Sequence, residues 1–436
     1  MDLMDKLTIL ADSAKYDAAC TSSGADRPGF ALPMGCCHSF SADGRCISLL
    51  KVLMSNDCVF DCKYCVNRAA GDRPRASFTP EELAQLTLGF YRRNYIEGLF
   101  LSSGVVKTPD HTMQQMISAL RLLRGPYGFQ GYIHAKTIPG ASPDLVRELG
   151  LLADRLSVNI ELPSEESLRR LCPNKRKEAI LAPMRQIAEE GAGESSALSL
   201  RRGAPQFAPA GQSTQLIIGA SPESDYRIIS LASAMYKKYG LRRVFYSAYI
   251  PAVADSLLPS VDTKPPLLRE HRLYQADFLM RQYGFEAGEI LSEELPNLNP
   301  YLDPKCNWAV NHLDRFPVDV NRAPLETLLR VPGIGPGGAR KIVTARRQGK
   351  VDTGQLRRMG IVLKRAQYFI VASDFRPALR PDRQGTVRAL IDPGVHQFGM
   401  EQLSMFHDFG LLPGGGDVRS LTEAVEEAVR CTAAGL

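Results

Sequence analysis

Short apolar runs alternate with amphipathic stretches along the first 250 residues, and this alternation predicts the fold class. "RCISLLKVLMS", "EGLFLSS", "FQGYIHAKTI", "DRLSVNIEL", "STQLIIGA" and "LRRVFYSAYIPA" are apolar segments of strand length. Helical periodicity fills the intervals. "TPEELAQLTLGFYRRN" has Thr79 as N-cap, Pro80 at the first helical position and Glu82 at the capping-box position. "DHTMQQMISALRLLRG" stops at Gly125, and "SPDLVRELGLL" is a capped helix. Residues 164–190 have helical character, and "ESDYRIISLASAMYKKYG" precedes the last strand. Residues 191–212, rich in Gly, Ser, Ala and Pro, predict a loop. Six strand–helix alternations require a parallel sheet with helical crossovers but are too few for a closed eight-stranded barrel. The expected architecture is α/β, a partial (β/α)6 barrel with its chemistry at the C-terminal ends of the strands.

The pattern changes after residue 250. A Pro-rich stretch, "LLPSVDTKPPLL", leads to a helix over about residues 267–283, and "ELPNLNPYLDPKCNW" leads on to a smaller, all-α domain. The expected organisation is an N-terminal extension over 1–45, a barrel over 46–285 and a linker over 286–316. A helical domain follows over 317–376, then a tail over 377–436 that contains a glycine run, "LLPGGGD".

A chain of 436 residues with 44% hydrophobic and 23% charged content has the composition of a globular protein large enough for both domains. No apolar run approaches the roughly 20 residues of a membrane span. The N-terminus begins with acids and lacks the apolar core of a secretory signal, so the expected compartment is the cytoplasm, with no membrane partner. There, cysteines are metal ligands or buried thiols rather than disulfides. The net charge of +6 is unevenly spread: residues 317–380 hold 13 Lys or Arg against 4 Asp or Glu. That concentration suits a polyanion, although a solvated basic face would have the same composition.

Three of the ten cysteines fall within eight residues, in "SNDCVFDCKYCVNR". Cys58, Cys62 and Cys65 have the spacing C-x3-C-x2-C, with Tyr64 before the last. A structural zinc site takes four ligands, usually from two paired arms, and no second arm lies at a fitting distance. Three thiolates on one short loop suit a [4Fe–4S] cluster with one iron open to a non-protein ligand.

This triplet, opening a six-fold β/α run, resembles the radical S-adenosylmethionine enzymes over roughly residues 45–250. The resemblance implies a [4Fe–4S] cluster on Cys58, Cys62 and Cys65, with S-adenosylmethionine chelating the open iron through its amino and carboxylate groups. One electron, from a donor such as flavodoxin or ferredoxin, then breaks the sulfonium C–S bond and gives a 5′-deoxyadenosyl radical. The resemblance also places Tyr64 and the strand-end residues Ser102, Ser103 and Gly104 at the cofactor. That strand end departs from the family's usual Gly-Gly-Glu, so backbone carbonyls or the serine hydroxyls would hold the amino group. "SVNIELPSEESL" is similar to the fourth-strand motif, with Asn159 and Glu161 directed to the ribose or methionine end. "QLIIGASPES" is similar to the segment that packs against adenine, with Gly219 allowing close approach. The residues that act on the substrate are not identified by any motif.

Cys20, Cys36, Cys37 and Cys46, with His38 beside them, match no standard ligand spacing. They are buried thiols, ligands of an auxiliary cluster, or in one case a hydrogen-atom donor. Cys172, Cys306 and Cys431 stand alone and are expected to be structural. Tyr246 and Tyr249, near the end of the sixth strand, line a substrate pocket or the core.

"FPVDVNRAPLETLLRVPGIGPGGARKIVTARRQGK" resembles a helix-hairpin-helix motif, with "APLETLLRV" and "ARKIVTARR" as its helices. Gly333 and Gly335 permit the tight turn and Ile334 anchors it. The turn amides, including Gly337, then join the second helix's N-terminus in facing a phosphate. Arg340, Lys341, Arg346 and Arg347 add charge. Such contacts grip a sugar–phosphate backbone and carry little sequence information. The opposing possibility is a hairpin that only packs against the barrel.

Across residues 16–375 the ordering resembles a family of bacterial radical S-adenosylmethionine proteins thought to act in DNA modification or repair. It is carried by "CHSFSADGRCISLLKVLMSNDCVFDCKYCVNR", "SSGVVKTPDHTMQQM" and "FPVDVNRAPLETLLRVPGIG". That resemblance implies hydrogen abstraction from a nucleotide in DNA, and a uracil-DNA-glycosylase-like partner. An RNA- or tRNA-modifying enzyme is the alternative. So is a redox-sensing iron–sulfur protein that binds DNA without cleaving the cofactor.

Overall fold

The computed structural model describes residues 1–14, 36–40, 46–197, 206–377, 382–391, 426, 429 and 430. By contact density the chain divides into two compact units, one of residues 1–222 and 234–266, the other of residues 223–233 and 267–436.

The first unit opens with α1 (Leu3–Ala14) and a strand pair, β1 (Cys36–Phe40) and β2 (Cys46–Leu53). Strand and helix then alternate: α2 (Pro80–Arg92), β3 (Gly98–Ser102), α3 (Pro109–Arg124), β4 (Tyr132–Lys136), α4 (Pro143–Leu152), β5 (Arg155–Ser157), α5 (Glu165–Leu171), α6 (Lys177–Ala197), β6 (Gln212–Ile218), α7 (Asp225–Tyr239) and β7 (Arg243–Ala248). Strands β2 to β7 run parallel in sequence order and curl into the six-stranded half-barrel that the alternation predicts. β1 is a seventh strand, antiparallel to β2, that the pattern did not reveal. A five-residue edge strand, Cys-Cys-His-Ser-Phe, has too little apolar alternation to be distinguished from a loop.

The expected loop over 191–212 is also corrected, since α6 continues to Ala197. Gly191 and Gly193 sit in this helix with nothing near where a Cβ would stand, so they cost it propensity but no packing. At α2 the capping box is formed, with Thr79 Oγ1 accepting from the Glu82 amide and Glu82 accepting from the Thr79 amide.

Period-two alternation gives the half-barrel two unlike faces. Leu50, Val52, Leu99, Leu101, Ile133, Ala135, Leu156, Leu216 and Ile218 form the apolar set and are buried. In the cross-strand register the opposite set brings together Lys51, Phe100, His134 and Arg155, and above them Lys136, Ser157, Ser213 and Arg243.

The second unit contains α8 (Leu267–Tyr283), α9 (Ala287–Ile290), α10 (Pro304–Asn311), β8 (Val318–Asp319), α11 (Leu325–Arg330), α12 (Pro336–Ala345), α13 (Thr353–Arg358), α14 (Leu363–Ala366), β9 (Ile370–Val371) and α15 (Arg383–Leu390). The stretch 286–316, expected as a linker, thus carries α9 and α10, and Cys306, Trp308, Ala309 and Val310 are buried. Arg330, ending α11, donates to both Glu289 carboxylate oxygens and to the carbonyls of Tyr283 and Gly284, and lies 3.9 Å over the Phe285 ring. Residues 223–233 join this unit through Asp225, which is buried and accepts from Arg269 Nε at 2.6 Å and from the Leu298 amide at 2.9 Å.

Lys305 is buried under the turn between α11 and α12, where Nζ donates to the Ile334 carbonyl at 2.6 Å and lies 4.4 Å over the Tyr283 ring. Burial pulls its pKa down to about 7, against the pull of Asp303 in the other direction. A base whose folded pKa is below its unfolded value makes the unfolded state the better proton binder between the two. Stability of this unit should therefore rise as pH increases from about 7 toward about 10, with a slope approaching about 1.4 kcal/mol per pH unit. Urea melts across this range should show that rise, and Lys305→Met should flatten it.

Candidate functional site

The C-terminal end of β2 leads directly into the cysteine loop, so Cys58, Cys62 and Cys65 lie at the rim where parallel strands deliver side chains. Two polar residues hold the loop's backbone. Asn56, fully buried, donates to the Pro74 carbonyl at 2.8 Å and accepts from the Ala76 amide at 2.7 Å. Arg75 spreads its guanidinium over four carbonyls, those of Asn56 (2.6 Å), Asn67 (3.0 Å), Arg68 (2.6 Å) and Gly71 (3.1 Å). The outer side is tied by Arg68, which pairs with Asp61 at 2.6 Å and Asp255 at 3.3 Å. Toward α5, the Asp61 amide donates to Asn174 and the Lys63 amide to the Leu171 carbonyl.

The sulfurs receive backbone donors. Phe60 and Val105 amides point at Cys58 Sγ (3.4 and 3.2 Å), and the Asn67 amide at Cys65 Sγ (3.4 Å). N–H···S bonds of this kind stabilise negative sulfur, so the donor set fits a cluster held by thiolates. Among the described residues no three His, Cys, Asp or Glu groups converge as a single metal ion would require. A cubane binds each cysteine at a different iron, so its ligands need not converge.

Cys172, expected to be structural, stands beside the triplet: it pairs with Cys62, and its thiol donates to Tyr64 Oη at 3.2 Å. The hydrogen bond with Cys172, helped by the Lys175 charge and opposed by burial, draws Cys62 down to about 7, while burial pushes Cys65 up to about 12. Lys175 forms a 2.8 Å ion pair with Glu161 at side-chain exposures of only 12% and 11%, so the pair is shielded from water. Burial opposes the Lys175 charge, but Glu161 and the neighbouring sulfurs outweigh it and hold its pKa well above the ordinary value. Glu161 has φ +65°, a left-handed backbone that a side-chain-bearing residue adopts only under constraint, and such strain concentrates at functional sites. Cys172 and Lys175 were missed because they meet the triplet only in space; "LCPNK" carries no motif.

The strand-end residues lie close by. A Cβ on Gly104 would stand 3.0 Å from Cys58 Cβ and 3.1 Å from the Asp57 carbonyl, so glycine lets this strand end lie flat on the cysteine loop. Ser102 is buried and its carbonyl accepts from the Met54 amide, whereas Ser103 Oγ donates to the Gly104 carbonyl. Asn159 Nδ2 reaches Gln215 Oε1 at 3.4 Å. Gly219 has φ +89°, and a Cβ there would meet Pro266 at 2.7 Å, which requires glycine irrespective of any ligand. Tyr246 and Tyr249 are both buried, and Tyr249 Oη has no hydrogen-bond partner in the structure. Cys20 and Cys431 lie outside the described residues, as do the side chains of Cys36, Cys37, His38 and Cys46.

In the second unit, Gly333 has φ +83° and its carbonyl accepts from the Val362 amide at 3.0 Å, while Ile334 is buried. Gly335 is the N-cap of α12, and Gly337, Arg340, Lys341 and Arg347 are exposed. Arg346, expected to face a nucleic acid, is instead turned inward, with its guanidinium on the carbonyls of Val320 and Ala323. A second helical hairpin that the sequence did not reveal, α13 to α14, turns at Gly360 with φ +86°. Its helices span six and four residues, too short for periodicity to register.

Residues 52–199 match the family described as the radical SAM superfamily. The chain therefore carries a radical SAM domain and is an enzyme of that class, whose members use a [4Fe–4S] cluster and S-adenosylmethionine. Among solved structures, HydG, a maturase of the [FeFe]-hydrogenase, is 11% identical, with 87% of this chain and 76% of that chain covered and a TM-score of 0.39. HydG from Carboxydothermus hydrogenoformans is 13% identical over 86% of this chain and 80% of that one, with a TM-score of 0.37. A radical SAM methyltransferase from Sphaerobacter thermophilus is 17% identical over 48% and 72%, with a TM-score of 0.30. No residue correspondence is drawn from them. A comparison with curated proteins found no match. Among the described residues no helix is long and apolar enough to cross a membrane.

Arg75→Ala should leave buried carbonyls unpaired and cost about 1–3 kcal/mol. Its expected signature is a lower melting temperature together with faster loss of iron from reconstituted protein, followed by visible absorbance.

Proposed function

We propose that the chain cleaves S-adenosylmethionine reductively at a cluster held by Cys58, Cys62 and Cys65, and that it abstracts hydrogen from a nucleotide in DNA, for modification or repair. The observation that carries the nucleic-acid assignment is the exposed cationic surface of α12, where Arg340 and Lys341 lie in the first turns after a glycine-bordered helix N-terminus and Arg347 follows the helix's C-terminal end. The first amides of a helix have no intrahelical acceptor, and a phosphate supplies one.

When bound, the cluster supplies the electron that splits the sulfonium bond; the remaining tasks fall to the chain. The Phe60, Val105 and Asn67 amides donate to the Cys58 and Cys65 sulfurs and would stabilise their negative charge once they ligate the cluster. The Lys175–Glu161 pair, shielded from solvent, keeps a positive charge beside Cys62. Asn159 and the Ser102–Ser103 strand end offer polar groups to the amino acid and ribose of the cofactor. The helix-hairpin-helix turn at Gly333–Gly335 grips the backbone of the substrate, so binding should be strong, salt-dependent and weakly sequence-specific. A one-electron donor of flavodoxin or ferredoxin type and a uracil-DNA-glycosylase-like protein are the proposed partners.

The test is 5′-deoxyadenosine formation by anaerobically reconstituted, reduced protein, with and without duplex DNA. DNA should stimulate it, and Cys62→Ala should abolish it. Formation that responds only to structured RNA would replace DNA by RNA as substrate. A verified cluster and bound cofactor with no cleavage would favour a sensor. Arg340→Gln with Lys341→Gln should weaken DNA binding about tenfold or more and flatten its dependence on salt by about two phosphate contacts.

A further inference from the structure

Lys175 comes to the cysteine loop from a segment without a motif, and the contacts that hold it there are unusually complete. Leu171 ends α5, and Pro173, which has no amide hydrogen, prevents the helix from continuing. The chain turns back at once, with the Lys175 amide donating to the Cys172 carbonyl at 2.9 Å. Three bonds then fasten this turn to the cysteine loop. The Lys63 amide donates to the Leu171 carbonyl at 2.8 Å, the Asp61 amide to Asn174 Oδ1 at 2.9 Å, and the Cys172 thiol to Tyr64 Oη at 3.2 Å. Asp61, Lys63 and Tyr64 bracket Cys62 in the chain, so the turn is docked on that cysteine.

Glu161 is held as firmly. Its amide donates to the Gln215 carbonyl at 3.0 Å and its carbonyl accepts from the Ile217 amide at 2.7 Å, so β6 grips this left-handed residue at both backbone groups. Its carboxylate takes Lys175 Nζ at 2.8 Å, with the two side chains 11% and 12% exposed. A lysine in water samples many rotamers and its charge is screened; this one is fixed, and its field passes through protein. The two ends of the pair act unequally on sulfur. At Cys62 the hydrogen bond with Cys172 is the largest influence and burial opposes it, and next the Lys175 charge outweighs the Glu161 carboxylate. The remaining charges of the loop are matched within it, since Asp61 pairs with both Lys63 and Arg68.

Reduction of an iron–sulfur cluster adds one negative charge, and the charge around its sulfurs is one of the factors that set its potential. We propose that Lys175 is a positioning residue that raises the reduction potential of a cluster bound at Cys58, Cys62 and Cys65, and that Glu161 holds Lys175 in place rather than meeting the ribose of the cofactor. This role rests on the radical SAM class of the domain and not on DNA as substrate, and it is read without turnover.

The test is the midpoint potential of the full chain with its cluster reconstituted, from an anaerobic redox titration followed by electron paramagnetic resonance, without S-adenosylmethionine or nucleic acid. Lys175→Met should lower the potential by about 59 mV or more, a tenfold loss in the one-electron equilibrium. Lys175→Arg, which keeps the charge, should restore it. Glu161→Gln removes the negative end alone and should shift the potential upward. Lys175→Met with Glu161→Gln leaves no unpaired buried charge and should still lie below the wild type, which keeps the test open where the single Lys175 variant assembles poorly. A potential unchanged in both variants that lack Lys175, or shifted in the same direction by Lys175→Met and Glu161→Gln, would reduce the pair to a structural tie and overturn the proposal. So would a Glu161→Gln protein with the wild-type potential and weakened S-adenosylmethionine binding, which returns Glu161 to the cofactor.

Discussion

Arg75 satisfies four carbonyl groups of a loop that has almost no regular structure of its own, and the cysteine site exists in this form because it does. A segment that leaves a buried strand and returns to the next helix without forming helix or sheet must pair its backbone elsewhere. Asn56 and Arg75 do this from within, and Arg68 closes the outside through Asp61 and Asp255. With the carbonyls so engaged, the amides of Phe60 and Asn67 are left directed at sulfur, and the Val105 amide, just past β3, adds a third. Loop geometry, sulfur charge and the fit to a cluster therefore follow from one set of side-chain-to-backbone bonds.

The modest net charge of the chain conceals two positive regions of different physical character. On α12 the cations are exposed, where the field is screened within about 8 Å at physiological ionic strength and serves attraction more than discrimination. On the inner face of the half-barrel Lys51 and Lys136 are withdrawn from solvent, where the same charge is weakly screened.

The features legible in the sequence are those encoded by neighbours along the chain. The alternation of β2 to β7 with helices, the capping box of Thr79 and Glu82, and the positive φ at Gly333 need only a few consecutive residues to declare themselves. What escaped depends on register or on distant approach. β1 is too short to show a period, Cys172 reaches Cys62 from another turn of the barrel, and the row from Lys136 to Arg243 exists only once four strands are aligned. Arg346 shows the same limit in reverse: composition counts it among the basic residues, but Nη1 of its guanidinium donates to two carbonyls of its own unit. Gly219 is glycine for backbone and for Pro266, a reason that no inspection of its neighbours in sequence would supply.

Asp225 lies on a helix whose first turns group with residues 267 onward, although some thirty residues of the other unit intervene in the chain. Its carboxylate completes Arg269 and the Leu298 amide. The second unit is thus not one contiguous stretch of chain, and its folding cannot be completed from sequence after residue 266 alone. During synthesis the segment around Asp225 emerges early and must wait for its partners. No single cut in the chain therefore separates the two units.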